Sequence, residues 1–420
     1  MSLPGMMRGR SDLLATVTLA AGIILSILLV SRSDWPEYPN DLMSYMGATF
    51  AAADGTDPYS VPDQIRALEA RGIHVDNLYG YVYSPMFIVC MQHSRIIPFS
   101  HFRFAFRCLG LLVVWAALWL LCLSLRGSSR LLMALAGSVF LLVSSVLYDC
   151  LYWGQVTGWM LLALAVMVFR RYRGIIAGLA ATVLAVLKAG YIPFILLLGD
   201  RRSWATLCAV LLVLVLVSLA LMDPEVYSEW FGRLGQMGGG MNVNLSNNLS
   251  LAGLVGNVTS RWLTPKADMD RASNDPEYRM ENAALKARRI RTATLSVTLL
   301  LLAVTSLRLL LMTGRGGVSR DYLLSLGLLL SLALLPFVWL HYGLMLLVPL
   351  WYLVSLGKLR TAVLMTATFL LWGLPLDVGP GIWTGIPGIR SIVPLGWSVW
   401  LLTVGAQRTD ISQKPDIISI

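Results

Sequence analysis

About a dozen apolar blocks run along this chain, broken by short polar joints, and the joints are of two kinds. One set carries Asp41, Tyr83-Ser84-Pro85, Gly154-Gln155, Lys188, Asn247 to Leu251 and Trp339-Leu340-His341. The other set carries little except arginine and lysine. The blocks predict helices near 12–31, 104–124, 131–148, 156–169, 203–222, 291–312, 321–340, 343–357, 361–376 and 391–407. Most approach the roughly 20 apolar residues that a membrane span requires. Titratable and amide groups are costly to hold in a membrane bundle, so joints rich in them are candidate functional positions.

Two segments break the simple alternation. Residues 174–199 lie between two basic turns and offer only 26 residues for two passes. They therefore predict a hairpin of short helices with its tip, Leu187-Lys188-Ala189-Gly190, inside the membrane. A lysine at that depth calls for an anionic partner. Residues 84–98 are apolar but short, and predict an interfacial or re-entrant helix. Two large outer segments remain, 32–103 and 223–290. In the first, Leu42, Met46 and Phe50 recur at helical spacing after Asn40 and Asp41, either of which is a plausible cap. The expectation is a short amphipathic helix on the outer interface, followed by a turn at Gly55 to Tyr59.

Composition agrees: 57% of the 420 residues are hydrophobic, 13% are charged, and the mean hydropathy is +0.69. Soluble domains hold roughly 45–50% apolar and about 25% charged residues. The chain reads as an all-α polytopic membrane protein, one integral domain over residues 1–420, and multi-pass in a plasma (inner) membrane. Its net charge of +10 sits mainly in the inter-helix turns. There the basic residues act as topology signals, so no nucleic acid is implied as a partner. Arg8 and Arg10 place the N-terminus inside. Arg126/Arg130, Arg170/Arg171/Arg173, Arg201/Arg202, Arg315/Arg320, Lys358/Arg360 and Arg408/Lys414 then also fall inside. The exception is the cluster Lys286, Arg288, Arg289 and Arg291, in a loop long enough for the rule to weaken. The five cysteines are scattered and form no CxxC, so they suggest core positions, with no disulfide framework and no metal site. Asp268-Met269-Asp270 mimics a metal-binding acidic motif but sits in a charged loop with no pyrophosphate site beside it. No glycine-rich nucleotide loop occurs, which favours a lipid-linked donor over a soluble nucleotide conjugate. No cofactor is implied.

The ordered polar motifs carry a resemblance. Asp41-x3-Tyr45-x2-Ala48, Gly55-x-Asp57-Pro58-Tyr59, Tyr83-x-Pro85, Gly154-Gln155-Val156, Leu187-Lys188-x4-Pro193, Asn248-x-Ser250-Leu251-x-Gly253-Leu254 and Pro336-x2-Trp339-x-His341 resemble glycosyltransferase family 87 of the GT-C superfamily. The likeness runs from about residue 35 to 350. Three positions depart from the family pattern: Ser84 in a usual Tyr-Pro-Pro, Leu249 in a usual Asn-Gln-Ser-Leu, and Tyr342 in a frequent His-His. The resemblance implies a GT-C fold with about twelve transmembrane helices, including a short hairpin, and outer-face interfacial helices. It implies transfer of a sugar, mannose above all, from a polyprenyl-phosphate donor to a glycolipid or glycan acceptor at the extracytoplasmic face of the lipid bilayer.

The residues support that chemistry. Asp41 is the candidate base and His341 a second catalytic candidate. Lys188 suits the donor phosphate, since a cation placed where charge develops is a large catalytic term. Gln155, Tyr83, Tyr45, Asn248 and Trp339 are candidate substrate contacts. Simpler readings stand beside each: a helix cap for Asp41, snorkelling for Lys188, an interfacial contact for His341, end caps for Gln155 and Asn248, and an aromatic belt for Tyr83, Trp153 and Trp339. A transporter or flippase of a lipid-linked sugar is the rival class. Transporters usually carry paired broken helices, and the sequence holds no second copy of the Lys188 hairpin.

Overall fold

The computed structural model describes residues 3–33, 35–75, 78, 80–188, 199–238, 319–334, 340–372 and 392–404, with single positions at 296, 305 and 306. Among these residues all regular structure is helical. The chain divides into two compact units, residues 1–241, 339–351 and 369–375 in the first, and 242–338, 352–368 and 376–420 in the second.

The first unit opens with α1 (Leu3–Ser31), which exposes Leu13, Val17, Ile24 and Leu28. Such a surface suits lipid and not water. α5 (Phe99–Leu123) and α6 (Gly127–Val143) pack against it. Asp12 of α1 pairs with Arg130 of α6 at 3.0 Å, and the same guanidinium donates to the carbonyls of Cys122 and Leu125, closing the end of α5. α1 and α5 approach closely at Gly22, where an added Cβ would stand 2.3 Å from the Trp115 ring. The Trp115 indole N–H donates to Ser26 one turn further along α1.

The predicted helix 131–148 is two helices. α6 ends at Val143, Ser144 turns extended, and α7 (Val146–Trp153) leaves at an angle of 57°. A Ser-Ser pair lets the ladder break at Ser144-Ser145, and the break swings the second half, with Asp149 on it, inward. α8 (Thr157–Phe169) packs between α5 and α9 (Gly174–Leu187). At the base of α9, Asp200 accepts from the backbone N–H of Gly174, and Ser203 donates to the carbonyls of Tyr172 and Gly174. The chain therefore returns at residue 200 to where it left at 174, as a hairpin requires. α10 (Arg201–Leu221) runs beside α9, with Asp200 as its N-cap. The 14 residues of α9 span about 21 Å at 1.5 Å each, short of the roughly 30 Å hydrocarbon core, and Lys188 stands at the end of the helix. The tip beyond it, 189–198, lies outside the described residues.

The outer segment folds as α2 (Asn40–Ala53), α3 (Val61–Glu69) and α4 (Pro85–Met91), the last running into a 3-10 turn, Gln92–Ile96. α4 is far too short to span. α2 differs from the amphipathic helix expected: every residue from Leu42 to Ala51 is buried, so α2 is enclosed by α3, α4 and α7 and does not lie on a surface. α3 was not legible as a helix. α11 (Glu225–Gly238) follows α10 and packs on α4, its Trp230 indole donating to the Val82 carbonyl at 3.3 Å. A 3-10 turn, Leu340–Leu346, leads into α13 (Leu347–Ser355), so the helix expected from 343 begins more tightly wound and carries His341 and Tyr342.

In the second unit, α12 (Arg320–Leu334) packs against α15 (Ile392–Val404), where the Tyr322 hydroxyl donates to the Leu401 carbonyl. Residues of α14 (Leu359–Trp372) meet α15 through Trp397, whose indole donates to Thr368 at 2.9 Å.

Three described helices are long and apolar enough to cross a membrane: Gly9–Ser31, Phe99–Leu123 and Arg201–Leu221. The bent α6–α7 pair is long and apolar enough for a fourth if its two halves form one span. The other apolar helices described are shorter, so the expected dozen spans are met only in part among the described residues. The Gly22 contact yields a test. Gly22→Ala overpacks the α1–α5 crossing, which typically costs about 1–3 kcal/mol; a lowered melting temperature in detergent is expected, while a conservative change at exposed Leu25 leaves it unchanged.

Candidate active site

All residues of the site described below belong to the first unit. Its frame is the turn after α7. Gly154 closes that helix in the left-handed conformation (φ 72°, ψ 42°), which L side chains rarely adopt. A Cβ there would also stand 2.9 Å from Leu42 Cβ. Two independent constraints thus require glycine, and they bring the α7 turn against the residue following Asp41. Gln155, next in sequence, is aimed at the carboxylate: its side-chain amide donates to Asp41 Oδ2.

Asp41 is not a cap. Pro39 is the N-cap of α2, and Asp41 sits in the first turn, where the positive helix end favours a carboxylate. Among the described residues its Oδ1 takes no hydrogen bond. Burial pushes the Asp41 carboxyl up to about 7; the Asp149 carboxylate adds to this, while the Gln155 amide and the Lys188 ammonium act against it. A carboxylate poised near neutral pH is matched to accepting a proton from a hydroxyl.

Behind Asp41 a chain of hydrogen bonds fixes the geometry. Tyr45, one turn along α2, donates its hydroxyl to Tyr83 at 3.2 Å, and the Tyr83 hydroxyl reaches Gln155 Oε1 at 3.5 Å. The two phenols meet edge to face at 5.1 Å. Burial holds both above the ordinary phenol range, and the nearby Asp41 carboxylate raises both further. Tyr45 is 1% exposed and Gln155 7%. Both are engaged with protein groups beside the carboxylate. Tyr83 is half-buried and is the member of the chain that faces outward.

The backbone carrying Tyr83 is pinned from three sides. Tyr59 donates to the Tyr83 carbonyl at 2.8 Å, Tyr81 to the Ser84 carbonyl at 3.0 Å, and Ser84 Oγ to the carbonyl of Val186 at 2.9 Å. The turn at Gly55 to Tyr59 forms as expected, with Asp57 accepting from the Tyr59 N–H. Its purpose is now visible: it delivers Tyr59 to that carbonyl. Ser84, a departure from the family pattern, ties this loop to the last turn of α9, two residues before Lys188.

Lys188 ends α9 in extended conformation (φ −155°, ψ 93°). Its ammonium donates to the Tyr342 hydroxyl and lies 4.0 Å from the centroid of that ring. Among the described residues it pairs with no carboxylate. A phenol and the field of Asp41 stand where an anion was expected, and the side chain is held inward, which sets snorkelling aside. His341 is 3% exposed and is held by Asp149: the His341 backbone N–H and ring Nδ1 each lie 3.1 Å from Asp149 Oδ2. Trp153 donates its indole N–H to Asp149 Oδ1 at 3.1 Å, so it braces the acid and is more than one of an interfacial belt. Asp149 escaped the sequence reading because it was placed at the end of a helix running to 148. The signal was there: a lone acid within an apolar run, five residues before Gly154. Asn248, Trp339, Asp268 and Asp270 lie outside the described residues.

The fold and the site define a helical membrane protein with a carboxylate, a cation and a histidine gathered at one polar cluster. A family model described as glycosyltransferase family 87 matches residues 81–336, more than half of the chain. The protein belongs to that family and is a membrane glycosyltransferase, which removes the transporter alternative. The matched span takes in Tyr83, Gln155, Lys188 and Asn248 and stops short of Asp41, Tyr45, Trp339 and His341. No curated protein and no solved structure matches the chain.

Two measurements test the electrostatics. Turnover per free enzyme, kcat/KM, is expected to rise with pH through about 7 as Asp41 ionises. Gln155→Ala removes a donor that favours the charged form, so this limb moves to higher pH. The linked effect on stability has the opposite sense. The folded pKa lies above the ordinary 3.8, so the native state binds the extra proton and stability falls as pH rises between the two values. Asp41→Asn is therefore expected to melt no lower than wild type at pH 8 while losing activity.

Proposed function

We propose that this glycosyltransferase moves a sugar from a polyprenyl-phosphate donor to a hydroxyl of a lipid-linked or glycan acceptor, on the extracytoplasmic side of the plasma membrane and with inversion at the anomeric carbon. The observation that carries the reading is the convergence of Asp41, Lys188 and His341, which stand far apart in sequence, on one cluster. Lys188 ends an apolar helix too short to span, which suits a phosphate reached from the bilayer better than a soluble nucleotide sugar. Mannose is the sugar implied by the resemblance of the polar motifs.

The steps balance without further reagents. Asp41 takes the proton of the acceptor hydroxyl as that oxygen bonds to the anomeric carbon. The bond from this carbon to the phosphate oxygen breaks, and its electron pair leaves with the polyprenyl phosphate. Lys188 offsets the charge gained by the departing phosphate, with His341 beside it. Tyr83 faces the sugar. Direct displacement converts a β-linked donor into an α-linked product with no covalent sugar–enzyme intermediate.

Each role has its own readout. Asp41→Asn keeps shape but removes basicity, so donor binding is expected to survive while turnover falls roughly 10²–10⁴-fold. Lys188→Ala is expected to weaken donor binding as well as turnover. Full activity in Asp41→Asn, or a β-linked product from a β-linked donor, sinks the mechanism. Sidedness is checked separately: Thr56 is exposed, and Thr56→Cys, in a background with exposed Cys90, Cys108 and Cys208 replaced, should react with an impermeant maleimide added outside intact cells. Protection of that position would place the site on the other face.

A further inference from the structure

Asp149 is engaged at both of its carboxylate oxygens. Its Oδ1 takes the Trp153 indole N–H, and its Oδ2 takes both the backbone N–H and the ring Nδ1 of His341. An ionised carboxylate only accepts, so the ring contact requires the proton on Nδ1. That leaves Nε2 as the nitrogen with nothing assigned to it. It is buried and has no hydrogen-bond partner among the described residues. A carboxylate, an imidazole and an open ring nitrogen in line form the orienting arrangement that nucleophilic enzymes use. Here, however, no hydroxyl or thiol of the described residues occupies the far end. The charged and titratable groups that act on the ring are Asp149 from α7 and Lys188 from α9, with Tyr342 adjoining it in the 3-10 turn. The cation among them, Lys188, marks the direction from which an anion would arrive.

We propose that Asp149 is a positioning residue that fixes His341 as the Nδ1–H tautomer and supplies the counter-charge that lets Nε2 take up a proton and donate it in a hydrogen bond to the phosphate of the sugar donor. The inference rests on the polyprenyl-phosphate reading for the identity of the anion, but not for the tautomer. In the free enzyme the ring is neutral and Nε2 carries a lone pair. When the phosphate binds, the ring gains one proton from solvent, and the resulting imidazolium lies between two anions, Asp149 and the phosphate. No bond to His341 forms or breaks apart from that proton. Lys188 and His341 then contact the leaving group from two sides, and Asp41 remains the base.

Three experiments on the full chain in micelles decide it. Histidine-selective 15N labelling resolves four rings, and loss of one signal in His341→Gln assigns the fourth. The wild-type ring is expected to show the Nδ1–H tautomer, and Asp149→Ala to shift it toward Nε2–H. Addition of a short-chain polyprenyl phosphate should drive both nitrogens to imidazolium shifts in wild type and not in Asp149→Asn. In turnover assays Asp149→Asn should lower kcat roughly 10²-fold with little change in donor KM, with partial recovery in Asp149→Glu. On a His341→Ala background, assayed well above pH 7 so that the influence of Asp149 on Asp41 ionisation is removed, Asp149→Asn should cost little further, because the effect under test passes through the ring. An Nε2–H ring in wild type, or losses that multiply in the double variant, overturns the proposal. Failure of polyprenyl phosphate to bind wild type at all sinks the donor reading instead, and the tautomer, which needs no substrate, still decides the role of Asp149.

Discussion

The site depends on one close contact, the approach of the Gly154 backbone to the Leu42 side chain. A membrane bundle can hold a carboxylate only where donors meet it, because an unpartnered charge in a low-dielectric interior is far too costly to keep. Asp41 meets Gln155 because the chain reverses at a residue with positive φ and no side chain. A larger residue there would have to relax its backbone and also part α7 from α2. Gln155, Tyr83 and Tyr45 then follow from that placement, each engaged by the one before it. The same turn fixes the end of α7, and with it the direction in which Asp149 and Trp153 point.

Much of this was legible in the residues. Helix boundaries in apolar runs came within a few positions for α8, α10 and α14, because composition and hydropathy dominate there. Arithmetic predicts a hairpin at Lys188, since too few residues separate two basic turns; the bond between Gly174 and Asp200 brings the two ends of that segment together, while residues 189–198 lie outside the described residues. Asp41, Gln155, Lys188, Tyr83 and His341 stood out as polar groups between apolar blocks, and the structure brings them together. What the pattern did not carry was partnership. Nothing in the spacing says that Gln155 meets Asp41, or that Lys188 rests on a phenol.

The errors share one cause. Periodicity reports one helix face at a time and assumes that the other is wet. α2 has apolar residues at helical spacing but also small ones, Gly47, Ala48 and Ala51, which permit close packing all round, so it is enclosed and not amphipathic. The break at Ser144-Ser145 was hidden because serine is tolerated in membrane helices when its hydroxyl bonds back to the preceding turn. Asp149 was lost with it. An acid taken for the terminus of a straight helix carries no special meaning, whereas an acid on a helix bent inward is among the most constrained groups in the unit.

The length of α9 has a further consequence. Its lower end is clamped, Gly174 to Asp200 and Ser203 to Tyr172, and its upper end is clamped again where Ser84 grips Val186. Between two fixed ends a helix behaves as a ruler: each residue contributes about 1.5 Å of rise and about 100° of rotation. Lys188 is the first graduation beyond the upper clamp. Its height above the basic turn is therefore a property of the polypeptide and does not adjust to the surrounding lipid. With the lipid-linked donor proposed above, a bilayer that thickens or thins around the protein changes how far the donor phosphate must move to meet that ammonium.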